Sequence, residues 1–318
     1  MKLALAIFLL AAGALAQDVP LERLQALLDY DRSAVESGFL RMQGPQEPGI
    51  GIVDYSFVGP AGERVPGTLV APRQGEPTPL ILFGHWMMAG SLMRNRQEFM
   101  EEARLLARAG ATCLLLDGPL IRQGAEPDPE PMNGQGPLAQ VQMAKEWRAA
   151  IDLMLADWNI DPERIAYVGQ SFSAGVGAML AGVEKRIGSL VLMSNQYSFR
   201  EYAYDDRNPL AVAQRKQVGD AWIDAYLAKF PFADTVHFVK HSSPAAVFLQ
   251  FGEKDEPIPP HIARLGFSHF GEPKRMKLYD SGHELNADAR VDRVDWLVER
   301  LGLKPVSEEA ARAIPQLY

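Results

Sequence analysis

The stretch Ile165-Ala166-Tyr167-Val168-Gly169-Gln170-Ser171-Phe172-Ser173-Ala174-Gly175 carries the strongest local signal in this chain. A buried strand runs into a sharp turn, and a helix opening on small residues follows. Ser171 stands on the turn. Such an elbow needs a strained backbone that lifts the hydroxyl clear of the sheet. Strand and helix then crowd together, so the residues two before and two after must be small, and here they are Gly169 and Ser173. A Gly-rich strand-to-helix turn can instead seat a phosphate at the helix N-terminus. Gly175-x-Gly177 lacks the third glycine of a dinucleotide turn, however, and no lysine follows as in a P-loop. The elbow therefore points to a serine nucleophile, with Ser173 as the rival hydroxyl.

Outward from the elbow, strand and helix alternate. A continuous apolar run at 79–83 fits a buried parallel strand, 111–116 reads as another, and 164–168, 189–193, 245–251 and 276–279 read as further strands. Helical spacing spans 21–35, 94–109, 141–158, 172–181 and 285–301. Before the first parallel strand, 50–58 and 64–71 flank the turn Gly59-Pro60-Ala61-Gly62 and predict an antiparallel hairpin. The expected fold is α/β: a mostly parallel, eight-stranded sheet with an N-terminal antiparallel hairpin and helices on both faces. Residues 195–243 break the rhythm. They are rich in aromatics, hold a helical stretch near 210–227, and predict a lid-like insertion over the C-terminal edge of the sheet, where open α/β sheets bind ligands.

A serine hydroxyl is a weak nucleophile and needs a base to take its proton, with an acid to hold that base in the right tautomer. Here the chain resembles the α/β-hydrolase family, whose G-x-S-x-G motif reads Gly169-x-Ser171-x-Ser173 in this sequence, the second glycine being replaced by serine. The resemblance implies the order Ser, acid, His. It puts the acid on Gly252-Glu253-Lys254-Asp255-Glu256-Pro257, at Asp255, with Glu253 and Glu256 as nearby alternatives. It puts the base at His283, in Ser281-Gly282-His283-Glu284 after the last strand. The oxyanion hole would use the backbone N–H of Phe172 and a second N–H from Gly84-His85-Trp86-Met87-Met88, either Trp86 or Met87. In the family this loop often reads His-Gly-x; His85 matches the histidine, and Trp86 stands where glycine is usual. The segment 147–175 looks most like the branch with dienelactone-hydrolase-like, acetyl-xylan-esterase-like and peptidase-like members. Dienelactone hydrolases proper use a cysteine where this chain has Ser171, so that activity is not implied.

The resemblance implies a carboxylic-ester hydrolase working through an acyl-enzyme, on a small-molecule or carbohydrate-linked ester, with no metal or organic cofactor. A peptidase or amidase with the same triad is the alternative, and a non-catalytic binding protein on this fold a more distant one. His237 and His241 are four apart but lack the zinc-protease pattern, and His261 and His269 carry no motif.

Of the 318 residues, 47% are hydrophobic and 23% charged, enough to bury a large core. The net charge is −8 and no Lys/Arg block stands out, so nucleic acid is not an expected partner. The lone Cys113 lies inside an apolar run and reads as core rather than nucleophile. Lys2, an apolar run to Leu10 and Ala14-Leu15-Ala16 read as a signal peptide over 1–16, too short to span a bilayer and followed by one domain over 17–318. Export to the periplasm or medium, without stable membrane insertion, is the resulting expectation; oligomeric state is not legible.

Overall fold

The computed structural model describes residues 18–35, 42–43, 47–73, 75–86, 95–122 and 135–315. The expected signal peptide and Met87 lie outside the described residues. Among the described residues, nine strands form one sheet: β1 (Met42–Gln43), β2 (Ile50–Val58), β3 (Arg64–Pro72), β4 (Thr78–Gly84), β5 (Thr112–Leu116), β6 (Ile160–Gln170), β7 (Ile187–Met193), β8 (Ala246–Gly252) and β9 (Lys274–Tyr279). Their order is β1-β2-β3-β5-β4-β6-β7-β8-β9. The eight expected strands are present, and the two-residue β1 extends the hairpin edge.

The β2–β3 pair is antiparallel, in register from Ile50↔Pro72 to Val58↔Arg64. Gly62 at φ 77° closes its turn, a conformation that favours glycine. From β5 to β9 every pairing is parallel. Alternation along the parallel strands divides the core between the two faces. Leu80, Leu82 and Tyr167 pack in one cluster, whereas Ile81, Phe83 and Val168 pack in the other.

Among the described residues, twelve α-helices accompany the sheet. The first five are α1 (Leu21–Leu27), α2 (Met100–Arg108), α3 (Pro119–Arg122), α4 (Gln135–Asp157) and α5 (Phe172–Val183). The segment between β7 and β8 is helical: α6 (Phe199–Ala203), α7 (Pro209–Val218), α8 (Asp220–Lys229) and α9 (Val236–Val239). The last three are α10 (Pro260–Ser268), α11 (Ala287–Leu301) and α12 (Glu308–Arg312). Helices α4 and α5 cover one face, with Trp147 and Met179 in its core, and α2 and α11 cover the other, with Leu106 and Leu297.

The helix expected over 141–158 begins earlier, at Gln135, and three other expected helices differ in extent by more than two residues. The helix expected over 94–109 starts at Met100, because Asp117 holds both the backbone N–H (3.0 Å) and the guanidinium (2.7 Å) of Arg96 in a preceding turn. The helix expected over 21–35 ends at Leu27, and Asp31 caps a separate 3-10 turn, Arg32–Ala34. The single stretch near 210–227 is two helices, because Gly219 at φ 84° breaks it. Among the described residues, no helix is long and apolar enough to cross a membrane.

Candidate active site

The C-terminal ends of β4, β6, β8 and β9 bring the sequence-selected residues to one edge of the sheet. Ser171 joins β6 to α5 with φ 51° and ψ −112°. A non-glycine residue rarely holds positive φ, and the strain of order 1–3 kcal/mol persists only where the surroundings impose it. They do so here. The Ser171 N–H donates to Met193 O at 2.8 Å at the end of the neighbouring strand. A Cβ on Gly169 would sit 2.5 Å from Ser173 O, so strand and helix approach too closely for any side chain there. The Ser171 hydroxyl makes no cap hydrogen bond to its own helix.

Ser173 occupies a different environment. It is fully buried, and its Oγ donates to the carbonyl of His85. Its hydroxyl is thereby engaged in a structural hydrogen bond, unlike that of Ser171 at the turn.

The structure brings Asp255 and His283 together. His283 Nδ1 lies 2.9 Å from Asp255 Oδ2, and Asp255 Oδ1 accepts the Ile258 N–H at 2.8 Å. Asp255 is 2% exposed, whereas Glu253 and Glu256 are exposed. The two loops are zipped together: Glu253 N–H donates to Tyr279 O (2.7 Å) and Lys254 N–H to Ser281 O (2.9 Å). With Nδ1 donating to the carboxylate, Nε2 is the nitrogen left to accept a proton. Gln170, the residue before Ser171, donates from Nε2 to His283 O at 2.9 Å, tying the base to the elbow.

The loop after β4 corrects one expectation. The Trp86 N–H donates to Glu98 Oε2 at 3.0 Å, so it faces a carboxylate instead of an oxyanion. The reason is the buried position of Glu98, whose charge needs a donor. Of the two expected second donors, this leaves Met87, outside the described residues. Phe172 is the first residue of α5, where the N–H has no partner within the helix. Its carbonyl accepts from Gln140 Nε2 at 3.0 Å.

His85 is buried and braces the loop. Its Nδ1 bonds Trp86 O at 2.8 Å, and its Nε2 accepts the Gly118 N–H at 2.9 Å. Burial lowers its pKa and keeps the ring neutral. Three further histidines pair with carboxylates of other segments. His261 pairs with Asp205, and His269 with Glu201 at 2.8 Å, fastening the 195–243 insertion to α10 and the residue after it. His237 approaches Asp18 at 3.6 Å. Cys113 is buried, and burial raises its thiol above the ordinary range. Among the described residues, no group of three His, Cys, Asp or Glu is arranged to hold a metal ion.

Two residues at the site escaped sequence reasoning. Gln170 lies within the elbow at a position any residue can take, and Glu98 lies in no local motif. Only the fold brings Glu98 to the loop after β4.

No family model matches the chain, and no curated protein matches it by sequence. Solved structures do. The acetyl xylan esterase from Paenibacillus sp. R4 is 18% identical, with 88% of this chain and 93% of that chain covered and a TM-score of 0.69. Acetyl xylan esterase 1 from Thermoanaerobacterium sp. JW/SL YS485 is 17% identical over 89% and 99%, with a TM-score of 0.67. The alpha/beta hydrolase GrgF from Penicillium sp. sh18 is 18% identical over 79% and 99%, with a TM-score of 0.54. The chain has the α/β-hydrolase fold.

Proposed function

We propose that this chain is a serine hydrolase that cleaves carboxylic esters through an acyl-enzyme intermediate. The observation that carries the reading is the pairing of a positive-φ serine at a strand-to-helix elbow with a hydrogen bond between His283 and the buried Asp255 on the adjoining loops. A fold alone does not imply a reaction, whereas this set of roles is what acyl transfer demands.

Ser171 Oγ attacks the ester carbonyl while its proton passes to His283 Nε2. The oxyanion is held by the N–H of Phe172 and by a second N–H, assigned to Met87. His283 then protonates the leaving alcohol as the carbon–oxygen bond breaks, giving the acyl-serine. Water attacks this ester, His283 takes its proton and returns it to Ser171 Oγ, and the carboxylic acid departs. Asp255 stays ionised and stabilises the imidazolium in both halves.

Two of the structural neighbours are named acetyl xylan esterases. By that analogy we assign a short acyl group on a small-molecule or carbohydrate alcohol as the substrate class. The pattern of residues 1–16 supports export to the periplasm or medium.

Hydrolysis of p-nitrophenyl acetate by the purified protein tests the reading. Turnover that vanishes in Ser171→Ala is expected. Turnover that persists in that variant, or a folded wild-type protein that leaves both p-nitrophenyl acetate and its anilide counterpart intact, contradicts it.

A further inference from the structure

The indole of Trp86 lies against the imidazole of His283, with ring centroids 5.6 Å apart and planes 25° from parallel. This is an offset stack within the range that aromatic rings prefer. Trp86 stands where the resembled family usually has glycine, and glycine has no ring to offer. The main chain that carries the indole is held at three points: the Trp86 backbone N–H donates to Glu98, the Trp86 carbonyl bonds His85 Nδ1, and the His85 carbonyl accepts from Ser173; the residue itself is 3% exposed.

We propose that Trp86 is a positioning residue for His283: its indole face sets the plane of the imidazole and stabilises the imidazolium formed when the ring takes the proton of Ser171. The proposal rests on the serine-hydrolase reading above. The hydrogen bond from Nδ1 to Asp255 fixes one atom of the ring but leaves it free to pivot about that contact. The His283 side chain is 22% exposed, so solvent does not confine it, and a flat wall on one face does. The reaction also changes the charge of that ring. It is neutral when substrate binds and cationic at the tetrahedral stage, and the face of an indole attracts a cation. An attraction stronger in the transition state than in the ground state acts on kcat and leaves KM nearly alone. Trp86 thus contributes through its side chain at the point where the sequence suggested its main-chain N–H.

The test compares Trp86→Leu, Trp86→Phe and wild type on p-nitrophenyl acetate, together with the NMR signal of the His283 ring proton between its nitrogens, assigned by its loss in His283→Gln. The expected result is a fall in kcat of about tenfold in Trp86→Leu with KM within about twofold, and recovery of most of that loss in Trp86→Phe. The His283 signal lies upfield in the wild type, from the indole ring current, and moves downfield in Trp86→Leu. An unchanged kcat in Trp86→Leu, a Phe variant no better than Leu, or an unmoved resonance overturns the proposal. Should Trp86→Leu not fold, a wild-type His283 signal at the position of an exposed histidine overturns it equally. A wild-type chain without ester turnover fails the serine-hydrolase reading instead, and the resonance still reports whether indole and imidazole stack.

Discussion

The side-chain hydroxyl of Ser173 donates to the main-chain carbonyl of His85, so the helix after Ser171 is bonded directly to the end of β4. The α/β-hydrolase motif usually has glycine at this position, and glycine cannot make the bond. A Cβ on Gly84 would sit 2.7 Å from Ser173 Cβ, which shows how tightly strand and helix meet here. The loop proposed to carry the second oxyanion donor is therefore anchored at His85 by a hydroxyl of the elbow itself.

Replacing Ser173 with glycine or alanine tests that anchor. Either variant should fold, since loss of one buried hydrogen bond costs about 1–2 kcal/mol, mainly by leaving the His85 carbonyl without this donor. The kcat for p-nitrophenyl acetate should fall by about tenfold, a fraction of the hundredfold or more seen when an oxyanion donor is removed outright. Steady-state kinetics and urea unfolding on the same preparations separate the two effects. An unchanged kcat with a lowered unfolding midpoint would assign Ser173 to stability alone.

Asp255→Asn keeps the shape of the acid and removes its charge. The amide no longer stabilises the imidazolium and can present its NH₂ to His283 Nδ1, which favours the wrong tautomer. A loss in kcat of about 10⁴-fold is expected from that mechanism. The same change at exposed Glu253 or Glu256, to glutamine, should leave kcat within about twofold.

His85 gives a pH dependence with a defined sign. Burial depresses its pKa below the unfolded value of about 6.5, so the unfolded chain binds this proton more readily than the folded one. Stability from His85 is therefore fully present above about pH 6.5 and declines as pH falls below it towards the depressed folded value. The loss has a structural form, since a proton on Nε2 removes the acceptor of the Gly118 N–H. Urea unfolding between pH 7.5 and 5 should show this decline in the wild type. In His85→Gln, which keeps amide hydrogen bonding without titrating, the slope over that range should be shallower. Equal slopes would contradict the assignment.

Between the two helices on the α2 face, Arg293 Nε donates to Glu102 Oε2 at 2.9 Å with both side chains nearly fully buried. Arg290 Nε lies 3.5 Å from Glu102 Oε1, so Arg293→Met leaves the buried carboxylate with the more distant of its two arginines and should cost on the order of 3 kcal/mol. Adding Glu102→Leu to it should restore only part of that loss, because Arg290 then loses its carboxylate partner while keeping its bonds to the Ala311 and Ile314 carbonyls. Chemical denaturation of the single and double variants checks both statements.

The sequence made much of this visible for identifiable reasons. Continuous apolar runs belong to strands buried on both faces, so Leu80–Phe83 and Ala166–Val168 could be read without the structure. The elbow was legible because steric crowding restricts Gly169 and Ser173 to small side chains. Asp255 and His283 were found through their loop positions and the resemblance. What escaped depends on contacts distant in the chain. Glu98 meets Trp86 across twelve residues, the Trp86–His283 stack spans most of the fold, and no local pattern encodes either. Helix ends were misread where a single backbone or side-chain device decides them, as at Gly219 and at the Arg96–Asp117 pair.

The central claim is that Ser171 is a nucleophile activated by His283. Its most direct test is treatment of the folded protein with a fluorophosphonate probe, followed by mass-spectrometric mapping of the adduct. The account predicts a single adduct on Ser171 that is absent in Ser171→Ala and strongly reduced in His283→Ala. An adduct on Ser173, or no adduct on a protein shown to be folded, would contradict it.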